Sequence, residues 1–142
     1  MTDADRKVLL NRTAKHEGLR LKVYTDPVGI LTIGYGRNLE GKGISQQEAQ
    51  LLLQHDLADA ERECREMFTW FDDLSGPRQT VLIEMCFNLG AAKLRGFGRT
   101  LKAIKEGRYA DAASQMLQSK WAAQVKGRAV LLSDVMRSGA YA

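Results

Sequence analysis

The spacing of hydrophobic and polar positions divides this chain into a helical beginning, a short strand-like region and a long helical remainder. An apolar run at residues 8–10 lies between a Thr2 and Asp5 capping pattern and Gly18. Glycine is common directly after the last turn of a helix. The pattern therefore predicts a first helix that stops at Gly18 and leaves Glu17 at its C-terminal end.

The next segment combines glycines with two short apolar runs. Six glycines fall between residues 18 and 43, and the partly β-branched runs at residues 21–24 and 30–33 are separated by a turn-forming sequence that contains Asp26. Short β-branched runs on both sides of a turn indicate paired strands. We predict a small hairpin or a three-stranded sheet here.

Helical spacing dominates the rest of the chain. Residues 45–48 form a capping box, and apolar residues recur at helical spacing behind it. Ser75 and Pro77 open another helix, which carries an apolar stripe at residues 81–89 and stops at Gly90. Shorter helices are predicted over about residues 98–106, 109–117, 120–124 and 128–137.

These elements predict an α+β fold. A chain of 142 residues with 44% apolar and 27% charged residues fits one ordinary globular domain. We expect a single domain over residues 1–142, with a small glycine-rich β lobe at about residues 19–44. The helical lobe takes residues 1–18 and 45–142, and a cleft is expected where the lobes meet.

Charge narrows the function classes only slightly. The 21 basic and 17 acidic residues give a net charge of +4 and a pI of about 9.2. Such a surface attracts nucleic acid, an anionic membrane or an anionic cell wall, and the sign alone does not choose among them. The basic residues are dispersed and not interleaved with aromatic residues, which argues against a nucleic-acid platform.

The cysteine content, the charged N-terminal residues and the short apolar runs argue against several further classes of protein. Cys64 and Cys86 provide neither a disulfide framework nor a zinc spacing, so we expect buried free thiols. The first ten residues hold four charges, so neither a signal peptide nor a signal anchor is expected. No run approaches the ~18 apolar residues of a membrane span, so stable membrane insertion is not expected.

A pair of carboxylates is the remaining candidate for chemistry. His16 and Glu17 begin like a zinc-protease motif, but Arg20 occupies the second histidine position, so no metal site is expected. Glycoside hydrolysis needs one protonated and one ionised carboxyl. The negative end of the helix dipole disfavours a charge on Glu17, whereas Asp26 in a polar turn suits the ionised form.

The residues alone indicate acid and base chemistry without identifying a reaction. The hydroxyl of Thr32, on the second strand, can hold a water molecule. Taken singly, however, Glu17 is better explained as a surface carboxylate, Asp26 as a turn residue and Thr32 as an ordinary strand residue.

The same residues resemble the active-site segment of phage-type lysozymes, glycoside hydrolase family 24. The elements are E-G-x-R-x-x-x-Y at residues 17–24, D-x-x-G at 26–29 and T-I-G-x-G at 32–36. Residues 87–90 resemble the F-N-x-G motif of the family, and residues 137–139 its closing R-x-G. The resemblance implies a lysozyme-like fold.

The resemblance also implies a reaction and its residues. The reaction is hydrolysis of the β-1,4 bond between N-acetylmuramic acid and N-acetylglucosamine, with inversion and without metal or cofactor. Glu17 would be the general acid, and Asp26 and Thr32 would position and activate water. Arg128 falls at the position of an arginine that pairs with the acid. Substrate contacts are implied at Gly36, Phe87, Asn88 and Leu89.

Partners and location follow from the same resemblance. It implies a monomer whose partner is bacterial peptidoglycan. The protein would stay in the host cytoplasm until its release and would then act on the cell wall in the periplasm. Access would depend on a holin-type pore. Arg37 stands where relatives commonly have histidine, and we expect it to form a salt bridge with Asp56.

Two other functions stay open at this point. A lytic transglycosylase cuts the same bond with one acid and leaves an anhydro sugar, but it needs no carboxylate that positions water. A non-catalytic basic module would bind peptidoglycan or nucleic acid without turnover. The presence of Asp26 together with Thr32 favours the hydrolase.

Overall fold

A computed structural model of the protein describes residues 1–141. These residues form eight α-helices, a 3-10 helix and one three-stranded sheet. In chain order they are α1 (Asp3–Glu17), β1 (Arg20–Thr25), β2 (Leu31–Gly34), β3 (Arg37–Asn38), α2 (Gln46–Met67), the 3-10 helix (Phe71–Asp73), α3 (Gly76–Leu89), α4 (Ala91–Arg95), α5 (Gly98–Lys105), α6 (Tyr109–Leu117), α7 (Lys120–Val125) and α8 (Gly127–Ser138). The predicted α+β class is confirmed.

The chain divides into two compact units. The first unit covers Met1–Leu51 and holds α1, the sheet and the start of α2, while the second unit begins at Leu52. The last residue, Ala142, lies outside the described residues. Within those residues, no helix combines the length and the apolar character that a membrane crossing requires.

Helix α1 begins and ends where its sequence predicts. The Thr2 hydroxyl accepts a hydrogen bond from the Asp5 amide at 3.1 Å, and the Asp5 carboxylate accepts one from the Thr2 amide at 2.9 Å. This reciprocal pair satisfies amides that the first helical turn leaves free, and the bonds from Thr2 lower the pKa of Asp5. At the other end, the Gly18 amide donates a hydrogen bond to the Ala14 carbonyl. Gly18 has a φ of 72°.

The sheet is an antiparallel meander in the order β1-β2-β3. Thr32 lies at its centre, because it is opposite Tyr24 of β1 on one side and Asn38 of β3 on the other. Among residues 1–51, all of which the structure describes, Thr32 alone is buried, at 4% exposure. The central strand therefore buries one residue in a unit whose other residues are all exposed or partly exposed.

Helix α2 begins with the predicted capping box, and Arg37 joins it. Ser45 and Glu48 exchange hydrogen bonds through the Ser45 hydroxyl and the Glu48 carboxylate. The Arg37 guanidinium contacts both oxygens of that carboxylate at 2.8 Å. Hydrogen bonds from Arg37 and then from Ser45 lower the pKa of Glu48 to about 2.

The predicted salt bridge between Arg37 and Asp56 is therefore wrong. Ser45 already turns the Glu48 carboxylate back toward the start of α2, where Arg37 also donates to the Gly43 carbonyl at 3.1 Å. Asp56 lies eight residues further along the helix, a rise of about 12 Å. The cap thus supplies the nearer carboxylate.

The hydrophobic core of the described residues lies in the second unit. Most of the apolar stripe of α3 is buried there as predicted, and its last member, Leu89, is half-buried. The largest fully buried side chains are Phe71, Leu82, Met85, Leu94, Ile104, Met116 and Met136. Cys64 and Cys86 are buried free thiols, which confirms their prediction, and burial raises the pKa of Cys64 to about 12.

Arg78 of α3 holds the end of α8. Its guanidinium donates to the Met136 carbonyl at 2.7 Å and to the Arg137 carbonyl at 2.9 Å. The same group lies over the Tyr109 ring of α6, 3.5 Å from the ring centre. One side chain therefore connects three helices of the second unit and satisfies carbonyls that the last turn of α8 leaves free.

Candidate active site

Glu17 is the last residue of α1, and its carboxylate lies against the turn between β2 and β3. A Cβ atom built on Gly36 of that turn would be only 2.8 Å from Glu17 Oε2. Glu17 is exposed. Its carboxylate nevertheless lies beside the turn, next to the space that the absent Gly36 side chain leaves open.

The carboxylate of Asp26 is oriented by the turn between β1 and β2. Its Oδ1 atom accepts hydrogen bonds from the Val28 and Ile30 amides, each at 2.9 Å. The Asp26 amide donates to the Ile30 carbonyl at 2.9 Å, which closes the turn. Among the described residues no protein group donates to Oδ2, so this oxygen can take a hydrogen bond from water.

Thr32 is linked to Asp26 through the backbone of one residue, Ile30. Its hydroxyl donates to the Ile30 carbonyl at 2.9 Å, while the Ile30 amide donates to Asp26. Because the hydroxyl hydrogen is engaged, the remaining role of Thr32 Oγ1 is to accept a hydrogen bond. The pair thus offers two acceptors held by the backbone of Ile30.

Four predicted site residues therefore belong to the first unit. Glu17 contacts the Gly36 turn, and Asp26 and Thr32 are joined by Ile30. Sequence reasoning missed Ile30, whose backbone does the joining. No side-chain signal could have revealed it, since its apolar side chain only marks a strand position.

Three other predicted site residues lie at the end of α3, in the second unit. The Asn88 side-chain oxygen accepts a hydrogen bond from the Trp121 indole at 2.9 Å. Leu89 lines a cavity of about 780 Å³ together with Trp121 and Lys93. Phe87 is exposed and borders a smaller pocket of about 290 Å³.

Arg128 has a carboxylate partner within the second unit. Its Nε atom donates to Glu84 Oε2 at 3.1 Å. Its predicted pairing with Glu17 stays a prediction. Among residues 1–141, no group of three or more histidine, cysteine or acidic side chains is arranged to hold a metal ion.

Comparison with known proteins identifies the family. Residues 14–137 match the phage lysozyme family. The chain belongs to the phage lysozyme family. Membership agrees with the lysozyme-like α+β fold and supports a glycosidase of the lysozyme type, a peptidoglycan hydrolase.

The chain covers very different shares of the relatives that it matches. It is 29% identical to the pre-baseplate central spike protein Gp5 of Enterobacteria phage T4, over 88% of this chain but only 27% of that protein. It is 27% identical to probable T4-type lysozyme 1 of Dictyostelium discoideum, over 87% of this chain and 89% of the relative. A SAR-endolysin of bacteriophage PS119 is 30% identical over 70% of this chain and 60% of the relative.

Proposed function

We propose that this protein is a muramidase, which hydrolyses the β-1,4 bond between N-acetylmuramic acid and N-acetylglucosamine with inversion. The observation that carries the proposal is the arrangement in the first unit. There a glutamate at a helix end accompanies an aspartate, which accepts a hydrogen bond from the Ile30 amide, and a threonine, which donates one to the Ile30 carbonyl. Family membership supports the same reaction class.

Each group has a chemical task in this reaction. Glu17, protonated, gives its proton to the glycosidic oxygen as the bond to the leaving sugar breaks. A water molecule donates one hydrogen bond to Asp26 Oδ2 and the other to Thr32 Oγ1, and attacks the anomeric carbon from the opposite face. Asp26 then takes the proton of that water. Attack on the face opposite the leaving group inverts the configuration.

The wider role proposed is phage-type lysis of a host. The phage relatives named as endolysins support it. The protein would act as a monomer on peptidoglycan, with no metal or cofactor, and would pass from the host cytoplasm to the periplasm through a holin-type pore.

The reaction is tested by incubating the protein with purified Gram-negative peptidoglycan and identifying the released sugars by mass spectrometry. We expect reducing muramic-acid ends from the wild type and their loss in Glu17→Gln. Glu66→Gln is the matched control, because it removes an exposed carboxylate of α2 that lies outside the proposed site. Proton NMR of a soluble fragment during turnover should show the α-anomer forming first.

Other products would assign another function. Anhydro ends from the wild type would identify a lytic transglycosylase and remove the role of Asp26 and Thr32 in holding water. Binding to peptidoglycan without any released sugar would identify a non-catalytic module. A β-anomer as first product would contradict inversion while keeping the hydrolase.

A further inference from the structure

Gly36 meets two separate requirements at one position. It lies in the Tyr35–Gly36 turn between β2 and β3 and has a φ of 78°, in the left-handed region that favours glycine. A Cβ atom there would also meet the Glu17 side chain. The first requirement is one of backbone conformation, and Gly34 in the same hairpin, with a φ of 71°, shares it.

The second requirement is specific to Gly36. Its added Cβ atom would be 2.8 Å from Glu17 Oε2, 3.4 Å from Cδ and 3.8 Å from Cγ. A Cβ atom built on Gly34 meets nothing within 4 Å. To restore an ordinary contact of about 3.4 Å, the Glu17 carboxylate would have to move by about 0.6 Å.

Such a movement matters for a general acid. Proton donation depends on the carboxyl lying within hydrogen-bond reach of the leaving oxygen. A misplacement of about 1 Å can cost about 100-fold in rate. Because Oε2 is the free end of a flexible side chain, the contact with an added Cβ atom would be relieved by movement of the acid and not of the backbone.

We propose that Gly36 is a positioning residue for Glu17: the missing side chain at this turn fixes where the acid stands. The proposal rests on the muramidase function and assigns Gly36 a role through Glu17, in place of the substrate contact implied by the resemblance. Its effect falls on kcat, whereas loss of a substrate contact would fall mainly on KM.

The test compares Gly36→Ala with Gly34→Ala on a soluble peptidoglycan fragment. Both variants place alanine at a positive φ, so both should lower the urea midpoint to a similar extent. Gly34→Ala should keep most of the wild-type kcat. Gly36→Ala should lose about tenfold more kcat than Gly34→Ala, with KM within about twofold of it.

A second variant of Glu17 connects the effect to the acid. Aspartate is one methylene shorter, so Glu17→Asp withdraws the carboxylate from position 36. Glu17→Asp should lower kcat strongly in the Gly34→Ala background and about tenfold less in the Gly36→Ala background. Equal losses in the two backgrounds would show that position 36 does not act through Glu17.

The possible failures are distinguishable. No product from the wild type overturns the muramidase function and this inference with it. An active wild type with equal kcat in Gly36→Ala and Gly34→Ala overturns the positioning role alone. An active wild type with an unchanged kcat and a raised KM in Gly36→Ala assigns the residue to substrate binding instead.

Discussion

Replacement of Asp26 separates its structural task from its chemical one. Asp26 Oδ1 accepts the Val28 and Ile30 amides, whereas Oδ2 is the oxygen proposed to take the proton of water. Asparagine keeps an oxygen that accepts both amides but cannot act as the base. Alanine removes both functions, so Asp26→Asn and Asp26→Ala form a matched pair.

The expected stability loss follows from the two hydrogen bonds. Val28 is exposed, so water replaces most of its bond, while the half-buried Ile30 amide loses more. Bonds to a charged acceptor contribute about 1.5–3 kcal/mol when shielded and less when exposed. We therefore expect Asp26→Ala to lower the free energy of unfolding by about 2 kcal/mol and Asp26→Asn by about 0.5 kcal/mol.

The expected activity loss is the same in both variants. Loss of a general base typically costs about 10²–10⁴ in rate. The assays are urea unfolding followed by circular dichroism, and release of reducing ends from peptidoglycan at a temperature where both variants are folded. Near wild-type turnover in Asp26→Asn would refute the assignment of the base. Activity losses that follow the stability losses would show that the turn, not the charge, is what matters.

The remaining predictions concern stability and thiol chemistry. Arg78→Ala should lower the free energy of unfolding by about 2 kcal/mol, since it removes two bonds to the end of α8 and the contact with the Tyr109 ring. Arg78→Lys should recover part of this, and equal urea midpoints for wild type and Arg78→Ala would contradict the capping role. The pKa of Glu48 is lowered to about 2 from an unfolded value of about 4.3, so its pair with Arg37 should stabilise the protein above about pH 4.3 and lose that effect as pH falls through 2. Glu48→Gln should remove this part of the acid dependence, as acid titration of the urea midpoint would show; an unchanged curve would count against the pair. Because burial raises the pKa of Cys64 to about 12, iodoacetamide at pH 8 should label it far more slowly in the native protein than in urea, as measured by mass spectrometry. Equal labelling rates would contradict its burial.

Helix boundaries could be predicted because their signals are local. The Thr2 cap, the Ser45 and Glu48 box and the stops at Gly18 and Gly90 each involve residues three or four positions apart. Such contacts form whatever the rest of the chain does. The structure therefore reproduces these boundaries within one or two residues.

Two short elements were not predicted, because they lack a local sequence signal. The 3-10 helix at Phe71–Asp73 and helix α4 at Ala91–Arg95 hold three and five residues. Neither is long enough to show a repeat of 3.6 residues. Phe71 and Leu94 are fully buried, so packing of the second unit, rather than local pattern, maintains these elements.

The residues of the candidate site could be chosen from the sequence, but the groups to which they bond were predicted less well. Arg37 was expected to pair with Asp56, but it binds Glu48, because the capping box holds that carboxylate near the loop. Ile30 shows the same limit, because it joins Asp26 and Thr32 through backbone groups that every residue carries. The side chains determine which chemistry a site can carry out, but the arrangement of the site depends partly on the backbone.

The two glycines of the β2–β3 hairpin show where this limit falls. In the sequence, Gly34 and Gly36 are equivalent members of one motif, and their positive φ angles follow from the same local turn. Only the approach of Glu17 to the hairpin distinguishes them, because its carboxylate lies beside Gly36 and nothing lies within 4 Å of a Cβ atom built on Gly34. A motif can therefore report that glycine is required without saying why. The reason at Gly36 includes the position of an acid that lies nineteen residues earlier in the chain.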